Sequence, residues 1–229
     1  MPVIVAFVSQ KGGVGKSSLT RALAVVAARA GLEVNVADLD PQQQTIVEWL
    51  KMRVETKVAR RIRVEPYETV YEALEDMQGS DLLILDTPAR ANRSTLDVAK
   101  QAHLIVLPSS GSLDDLRPAV LLLHELVKAG IERERMVVAF TRILNRNEEI
   151  AARTYVETAG YEALPGSIGE HAAYRDAQNR GRALNETNDQ RLNEKANALL
   201  TALLENAVAE ANGKRTPGAP RVSGTGGAA

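Results

Sequence analysis

The sequence predicts an α/β fold, with a mostly parallel, twisted sheet flanked by helices on both faces. Short apolar runs alternate along the chain with runs whose apolar residues recur at helical spacing, and this alternation favours parallel strands joined by crossover helices. The run Leu82–Asp86 is apolar until its last residue, as expected of a strand covered on both faces. A glycine-rich turn separates the first strand-like run from the first helical run. Ligands of such sheets bind beyond the carboxyl ends of the strands, so functional side chains are expected at that edge.

The predicted elements follow one another from the amino terminus with short connections. The first strand covers 3–8 and the first helix 19–30, ending at Gly31, a residue suited to the left-handed position after a helix. A strand at 34–36 leads to Asp38 and Asp40, and a helix follows Pro41. Ser112 with Asp115 three residues later approximates a capping box. The remaining strands are predicted at 62–66, 82–86, 104–107, 136–140 and, as a short strand-like turn, 163–168, and the remaining helices at 70–77, 94–102, 120–127, 147–159, 170–179 and 189–211.

The composition predicts one sizeable domain over residues 1–211. The chain has 229 residues, 45% of them apolar, enough for a well-buried core. Residues 212–229 are rich in Gly, Pro, Ala, Ser and Thr, and such a tail is predicted to be disordered because it buries too little surface. We expect no signal peptide, and no apolar run approaches the roughly 20 residues that span a bilayer. These features favour a cytoplasmic location.

Several classes of function are disfavoured by residue counts. The chain contains no cysteine, which excludes disulfides, thiol nucleophiles and cysteine-ligated clusters. Aromatic residues make up 3% of the chain, too few for a dedicated reader of RNA or single strands. The net charge of −1 gives no overall attraction to nucleic acid, so DNA binding would require a local basic patch. His103, His124 and His171 are scattered singly and are interpreted as packing or surface residues.

The turn from Gln10 to Ser18 has the pattern of a phosphate-binding loop. It lies between a strand and a helix, its glycines let backbone N–H groups turn inward, and the helix N-terminus favours an anion. Lys16 would neutralise terminal phosphates and Ser17 would offer a hydroxyl to Mg²⁺. The common pattern G-x-x-x-x-G-K-[ST] is broken at Gln10. The alternative is a flexible turn in which Lys11 and Lys16 are solvated.

The same turn resembles the loop of the deviant Walker A ATPases related to ParA and MinD, K-G-G-x-G-K-[ST]-[ST]. The resemblance implies a P-loop NTPase fold over residues 1–211, with ATP and Mg²⁺ as cofactors. It also implies a homodimer in the ATP state, in which Lys11 reaches across to the partner's phosphates. The matching residues, together with the variable position, are Lys11, Gly12, Gly13, Val14, Gly15, Lys16, Ser17 and Ser18.

Three aspartates at predicted strand ends are candidates for the chemistry. Asp86 ends an apolar strand and suits a Walker B carboxylate that holds Mg²⁺ and bonds Ser17, although a turn or N-cap aspartate beside Pro88 is the alternative. The residues alone do not separate Asp38 from Asp40. The resemblance assigns the attacking water, and a place near the metal, to Asp40 in a D-x-D-P-Q switch I motif, and leaves Asp38 a metal-side or structural role.

Two further segments are assigned by resemblance. Thr87-Pro88-Ala89 resembles switch II, the segment that senses the γ-phosphate. Thr141 and Arg142 resemble the family's nucleotide contacts near the adenine, with an ordinary surface arginine as the alternative.

Within the family the chain resembles the small, ParF-like plasmid-partition ATPases. The implied function is DNA partition: an ATP-bound dimer binds nonspecific DNA on the nucleoid, and a ParB- or ParG-like centromere-binding adaptor stimulates its hydrolysis and release. Alternatives are a MinD-like ATPase that positions a protein complex on a membrane or other scaffold, and a binding module that uses nucleotide to set its oligomeric state. No membrane binding is expected, because the leucines of the last predicted helix suit core packing. The candidate DNA contacts, whose alternative is simple solvation, are Arg60, Arg61, Arg63, Arg175, Arg180, Arg182 and Arg191.

Overall fold

A computed structural model describes residues 1–40, 43–55, 61–89 and 93–213. Within these ranges seven strands form one sheet, in which every neighbouring pair is parallel. The strands are β1 (Val3–Phe7), β2 (Val34–Asp38), β3 (Ile62–Pro66), β4 (Leu82–Asp86), β5 (Leu104–Ser109), β6 (Met136–Phe140) and β7 (Glu162–Ala163). Their order across the sheet is β3-β2-β4-β1-β5-β6-β7, so that the first strand lies at the centre.

Helices connect the strands and cover both faces of the sheet. Most begin and end within two residues of the predicted positions, because their apolar stripes and terminal residues are clear in the sequence. The helices are α1 (Lys16–Arg29), α2 (Thr45–Glu55), α3 (Val70–Asp76), α4 (Arg93–Gln101), α5 (Leu113–Lys128), α6 (Arg146–Thr158), α7 (Ala172–Gln178) and α8 (Gln190–Ala211), with a 3-10 turn at Arg133–Arg135.

The core consists of two apolar layers, one on each face of the sheet. On one face α1, α2 and α8 pack against side chains such as Phe7 and Ile84, and on the other face α3 to α6 pack against Leu83 and Leu85. Alternate residues of a strand point to opposite faces, which explains why β4 is buried along its whole length. The α/β class and the parallel sheet predicted from sequence are therefore confirmed.

One local prediction was met in part and another was wrong. The short strand-like turn predicted at 163–168 forms a two-residue strand at Glu162–Ala163 and then bends, because Pro165 and Gly166 interrupt the extended run. The Leu164 and Ile168 amides still donate to β6 carbonyls. Ser112 does cap α5, but its hydroxyl accepts from the Asp114 amide, and the Asp115 carboxylate turns away to other partners. The pair is a simple N-cap and not a capping box. Most of the predicted tail, 214–229, lies outside the described residues.

The fold brings the functional candidates to one edge of the sheet. The glycine-rich turn follows β1, Asp38 ends β2, Asp86 ends β4 and Thr141 follows β6. All these positions are at carboxyl ends of parallel strands, where α/β sheets form their ligand crevices.

Candidate functional site

The glycine-rich turn has a backbone that glycine alone adopts without strain. Gly13 and Gly15 have φ values of 78° and 96°, in the left-handed region disfavoured for other residues. A Cβ added at Gly15 would lie 3.3 Å from Thr141 Cγ2. The Thr141 hydroxyl also donates to the Val14 carbonyl over 2.8 Å. Thr141 therefore supports the turn through β6 and, with Arg142, lines the crevice beside it.

Lys16 begins α1 and lies within the turn instead of in solvent. Its side chain is buried, with 6% of the residue exposed, and its Nζ donates to Ser9 Oγ over 2.8 Å. Burial lowers the pKa of this ammonium, and the carboxylates of Asp86 and Asp40 partly offset that effect. A buried cation at a helix N-terminus attracts an anionic ligand strongly, because little water screens the interaction.

Asp86, at the end of β4, lines the same pocket as Lys16. It is 2% exposed and accepts hydrogen bonds from Ser17 Oγ at 2.8 Å and Thr20 Oγ1 at 3.1 Å. Burial raises its pKa to about 6, against the hydrogen bond from Ser17. The contact predicted between Asp86 and Ser17 is present, and both oxygens of the carboxylate are held by hydroxyls.

The oxygen donors here fit Mg²⁺ by their chemistry. Ser17, Asp86 and Asp40 line one pocket, and hard cations prefer such carboxylate and hydroxyl oxygens. Within the described residues no three His, Cys, Asp or Glu side chains form a complete metal site. Mg²⁺ usually takes one or two carboxylates and completes its shell with water and substrate phosphate oxygens.

Asp38 and Asp40 have different environments. Asp38 is 1% exposed and accepts from the backbone amides of Asp40 and Ile46, each at 3.1 Å. Burial raises the pKa of Asp38, although these amide bonds lower it in part. Asp40 is half-buried. Within the described residues its carboxylate accepts one hydrogen bond, from the Gln43 amide at 3.3 Å. Both oxygens of Asp38 are thus held by backbone amides, whereas the Asp40 carboxylate is more exposed and lines the same pocket.

Two adjoining pockets form a single crevice along the turn. The first is lined by Lys16, Ser17, three aspartates (Asp38, Asp40 and Asp86) and the predicted switch II residues Thr87 and Ala89, and measures about 230 Å³. The second, of about 290 Å³, lies on the other side of the turn between Arg142 and α7. Gly13, Gly15 and Ser18 border both. We call them the phosphate pocket and the base pocket, because one gathers charges and the other is more apolar.

The base pocket contains residues that sequence reasoning missed. They lie after β7 and on α7, more than 120 residues from the turn, and only folding brings them beside it. Ser18 Oγ donates to Gln178 Oε1 over 2.8 Å, which joins α1 to α7. Arg175 was predicted as a DNA contact, and no local pattern marks it as a pocket wall. The missed lining residues are Ile168, Gly169, Glu170, His171, Tyr174, Gln178 and Leu184.

Comparison with known proteins identifies the family. The CobQ/CobB/MinD/ParA nucleotide-binding domain matches residues 5–184 of this chain. The chain belongs to this MinD/ParA family. A family of nucleotide-binding domains agrees with the geometry of the turn and its two pockets.

Similar proteins include members with different cellular roles. Maintenance of carboxysome distribution protein A of Gloeobacter kilaueensis is 27% identical over 178 residues, covering 77% of this chain and 81% of that protein. The chromosome-partitioning ATPase Soj of Thermus thermophilus is 30% identical over 159 residues, covering 56% of this chain and 63% of Soj, less than two thirds of its length. The structure of MinD from Pyrococcus horikoshii with Mg-ADP has a TM-score of 0.71 at 17% identity, covering 92% of this chain and 99% of MinD. This last likeness confirms the fold.

Lys11, the distinctive lysine of the MinD/ParA loop, is turned away from the phosphate pocket. Its Nζ lies 2.7 Å from Asp115 Oδ1 and 2.9 Å from the Asp114 carbonyl at the start of α5. Burial raises the pKa of Asp115, but hydrogen bonds from Lys11 and Ser110 more than offset this and hold that pKa below its ordinary value. Lys11 is thus held by an ion pair within its own chain.

Arg142 also has partners within the chain. It adopts φ 56°, and its Nε lies 3.2 Å from Glu170 Oε2 while Nη1 lies 3.4 Å from the Gly13 carbonyl. These contacts place it at the wall of the base pocket, beside Gly13. Its contact with adenine remains a prediction.

The candidate DNA contacts fall into two groups. Arg61 pairs with Glu33, and Arg63 pairs with Asp76 at 2.8 Å, so these charges are already engaged; Arg60 lies outside the described residues. By contrast, the described chain offers no ion pair within 4.0 Å to the three arginines near α7. Two of these are exposed and one is half-buried: Arg175, Arg180 and Arg182.

The last helix packs against the domain, as predicted. Leu199, Leu200 and Leu203 are at most 1% exposed and belong to the core beneath α8. Among the described residues no helix is both long and apolar enough to cross a bilayer. The apolar side of α8 is therefore used for packing within this chain.

Proposed function

We propose that this protein is a Mg²⁺-dependent ATPase that partitions DNA. Its ATP-bound dimer binds nonspecific DNA on the nucleoid and releases it after hydrolysis, which a centromere-binding adaptor stimulates. The observation that carries the ATPase part is the phosphate pocket, where a buried lysine and three aspartates meet at a helix N-terminus. The family's nucleotide-binding fold supports the same assignment.

Each residue of the pocket has a role that follows from its chemistry. Mg²⁺ held by Ser17 and Asp86 would neutralise charge on the phosphate oxygens. Lys16 supports the β- and γ-phosphates with a poorly screened charge. Asp40, half-buried and facing the same pocket, accepts a hydrogen bond from the attacking water and orients it.

The dimer part of the proposal depends on Lys11. In the single chain this lysine is exposed and held by Asp115, where it cannot serve its own phosphate pocket. We expect ATP to draw Lys11 of one copy toward the γ-phosphate of the other, since a triphosphate offers more charge than one carboxylate. Hydrolysis removes that charge and lets the copies separate.

The DNA part is supported by the arginines near α7 and by the named role of Soj. Arg180 and Arg182 serve for the test, because Arg175 also lines the base pocket. In cosedimentation with DNA and ATP, Arg180→Ala/Arg182→Ala should weaken binding and reduce the salt slope by about 1 for each arginine that contacts a phosphate. The matched control, Arg61→Ala/Arg63→Ala, removes charges that are already paired and should bind as wild type. Equal binding by wild type and the first variant would contradict this assignment.

A second candidate is positioning of a protein complex on a scaffold. It is favoured by the carboxysome-distribution relative, which aligns over 77% of this chain. Cosedimentation with anionic lipid vesicles, beside DNA, separates a membrane scaffold from DNA. Steady-state phosphate release separates both from a module that binds nucleotide without hydrolysis. Binding to DNA with ATP, together with slow phosphate release, is the result that the partition proposal predicts.

A further inference from the structure

Arg21 lies between the two pockets. It is outside the loop motif of the family, which ends at Ser18, so that motif does not explain its position. It lies on α1, one turn beyond Ser17, and is 9% exposed. Burial lowers the pKa of its guanidinium, and the charges of Asp86 and Asp38 partly offset that effect. A buried arginine is costly unless its hydrogen bonds are well used, so its partners indicate its purpose.

On one side Arg21 holds the backbone that follows Asp40. Its Nη2 donates to the Thr45 carbonyl over 2.8 Å. The Ile46 amide donates to Asp38 Oδ2 over 3.1 Å. These two bonds hold the opposite ends of one peptide group, between Thr45 and Ile46, with a cation at its oxygen and an anion at its nitrogen.

The clamp that Arg21 and Asp38 form on this peptide also holds Asp40, the candidate catalytic residue. The other oxygen of Asp38 accepts from the Asp40 amide at 3.1 Å. Asp40 is therefore tied to the clamped peptide through a single carboxylate, that of Asp38. A displacement of the Thr45 carbonyl would be passed to Asp40 through Asp38.

On its other side Arg21 reaches the base pocket. Its Nη1 lies 3.5 Å from Gln178 Oε1, the oxygen that also accepts from Ser18. Gln178 lines the base pocket. One guanidinium thus joins the base pocket to the backbone beside the phosphate pocket.

The surroundings of Arg21 restrict its motion. Its guanidinium carbon lies 5.9 Å from the ring centre of Trp49, and Arg53 lies at 5.1 Å from the same ring. Arg53 is paired with Glu186 at 2.6 Å. Trp49 is fully buried and is the single tryptophan of the chain. The planar fork of arginine, lying over such a ring, holds a fixed direction that lysine does not.

We propose that Arg21 is a positioning residue that couples occupation of the base pocket to the placement of Asp40, by clamping the Thr45–Ile46 peptide together with Asp38. This inference rests on the proposed ATPase function and names a residue that controls the placement of Asp40. A ligand with a base fixes Gln178, Gln178 fixes Arg21, and Arg21 fixes the peptide that orients Asp40. A phosphate chain without a base leaves that linkage loose.

The first experiment measures amide exchange and needs binding alone. Hydrogen exchange of the Ile46 amide is followed in wild type with saturating Mg-ADP or Mg-pyrophosphate, which has no base. We expect ADP to slow exchange about tenfold more than pyrophosphate, the effect of one strengthened charge-assisted hydrogen bond. In Arg21→Lys the two ligands should protect equally. The proposal is overturned if the two ligands protect the Ile46 amide of wild type equally. It is also overturned if the difference between them persists in Arg21→Lys.

The second experiment measures hydrolysis and uses a matched control on the same helix. Arg21→Lys should lower the rate at saturating ATP by about tenfold, with a smaller change in KM. Arg29→Lys, at a half-exposed arginine that bonds Glu186, should hydrolyse as wild type. Trp49 fluorescence confirms that each variant is folded. If Arg21→Lys is unstable, Gln178→Met breaks the same linkage and should give the same loss of rate.

The outcomes distinguish the two proposals. A folded Arg21→Lys with the wild-type rate contradicts the positioning role and leaves the ATPase proposal standing. A wild-type protein that binds ATP without hydrolysing it contradicts the ATPase proposal, while the exchange experiment still tests the clamp.

Discussion

The raised pKa of Asp86 gives a prediction about stability that needs no ligand. Burial raises that pKa from its ordinary value of 3.8 to about 6. The folded protein therefore binds a proton more tightly than the unfolded chain between about pH 4 and pH 6, and its free energy of unfolding falls as the pH rises through that window. A difference of one in pKa corresponds to about 1.4 kcal/mol, so ionised Asp86 costs the nucleotide-free protein about 3 kcal/mol at neutral pH.

The assay is urea denaturation of wild type and Asp86→Asn from pH 4 to pH 8 without nucleotide. The free energy of unfolding of wild type, minus that of the variant, should fall by about 3 kcal/mol between pH 4 and pH 7 and then level off. The charge of Asp38, which is present in both proteins, also raises the pKa of Asp86, so the difference includes the repulsion between these two carboxylates. Two parallel curves would refute the reasoning, because they would show that ionising Asp86 costs nothing.

The raised pKa of Asp86 also affects the affinity for Mg-ADP. Mg²⁺ favours the ionised carboxylate, so affinity for Mg-ADP should fall by up to about tenfold for each pH unit below 6. Asp86→Asn should lose this dependence. Titration calorimetry in two buffers of different ionisation enthalpy measures the proton released on binding. Equal heats in the two buffers near pH 6 would contradict the assignment of Asp86 as the metal carboxylate.

Three further predictions concern charged pairs. Lys16→Ala and Lys11→Ala should both abolish phosphate release. Lys16→Ala should weaken ATP binding more, by about 10- to 100-fold, because the charge of Lys16 is buried. Retained hydrolysis in Lys11→Ala would count against a role of Lys11 across the dimer. Asp115→Asn frees Lys11 from a partly exposed pair worth about 1 kcal/mol, so dimerisation with ATP should tighten about fivefold by light scattering. Glu186→Ala leaves buried Arg53 without that carboxylate and should cost about 3–5 kcal/mol in urea denaturation, whereas a cost below about 1 kcal/mol would contradict the burial of this pair.

The parts of the fold that the sequence predicted are those set by local patterns. Leu82–Asp86 and Met136–Phe140 are continuous apolar runs, and both form strands at the expected residues. Gly15 and Lys16 lie in a motif whose spacing specifies its own conformation. The bond between Ser17 and Asp86 could be expected because Asp86 ends a predicted strand and Ser17 lies in the loop after another, and the ends of parallel strands meet at one edge.

The parts that could not be predicted depend on side chains brought together from distant segments. The base pocket requires Gln178 to meet Ser18, 160 residues apart, and no periodicity signals such a contact. Asp115 looked like the partner of Ser112 because sequence shows only their spacing. In the fold the glycine-rich turn lies beside α5, and Lys11 gives the Asp115 carboxylate a charged partner.

Sedimentation velocity of the purified protein tests the central claim most directly. With Mg²⁺ and a non-hydrolysable ATP analogue, the protein should sediment at twice the mass that it shows with Mg-ADP or without nucleotide. A protein that binds the analogue yet remains a monomer in every condition would contradict a function based on two copies joined by ATP.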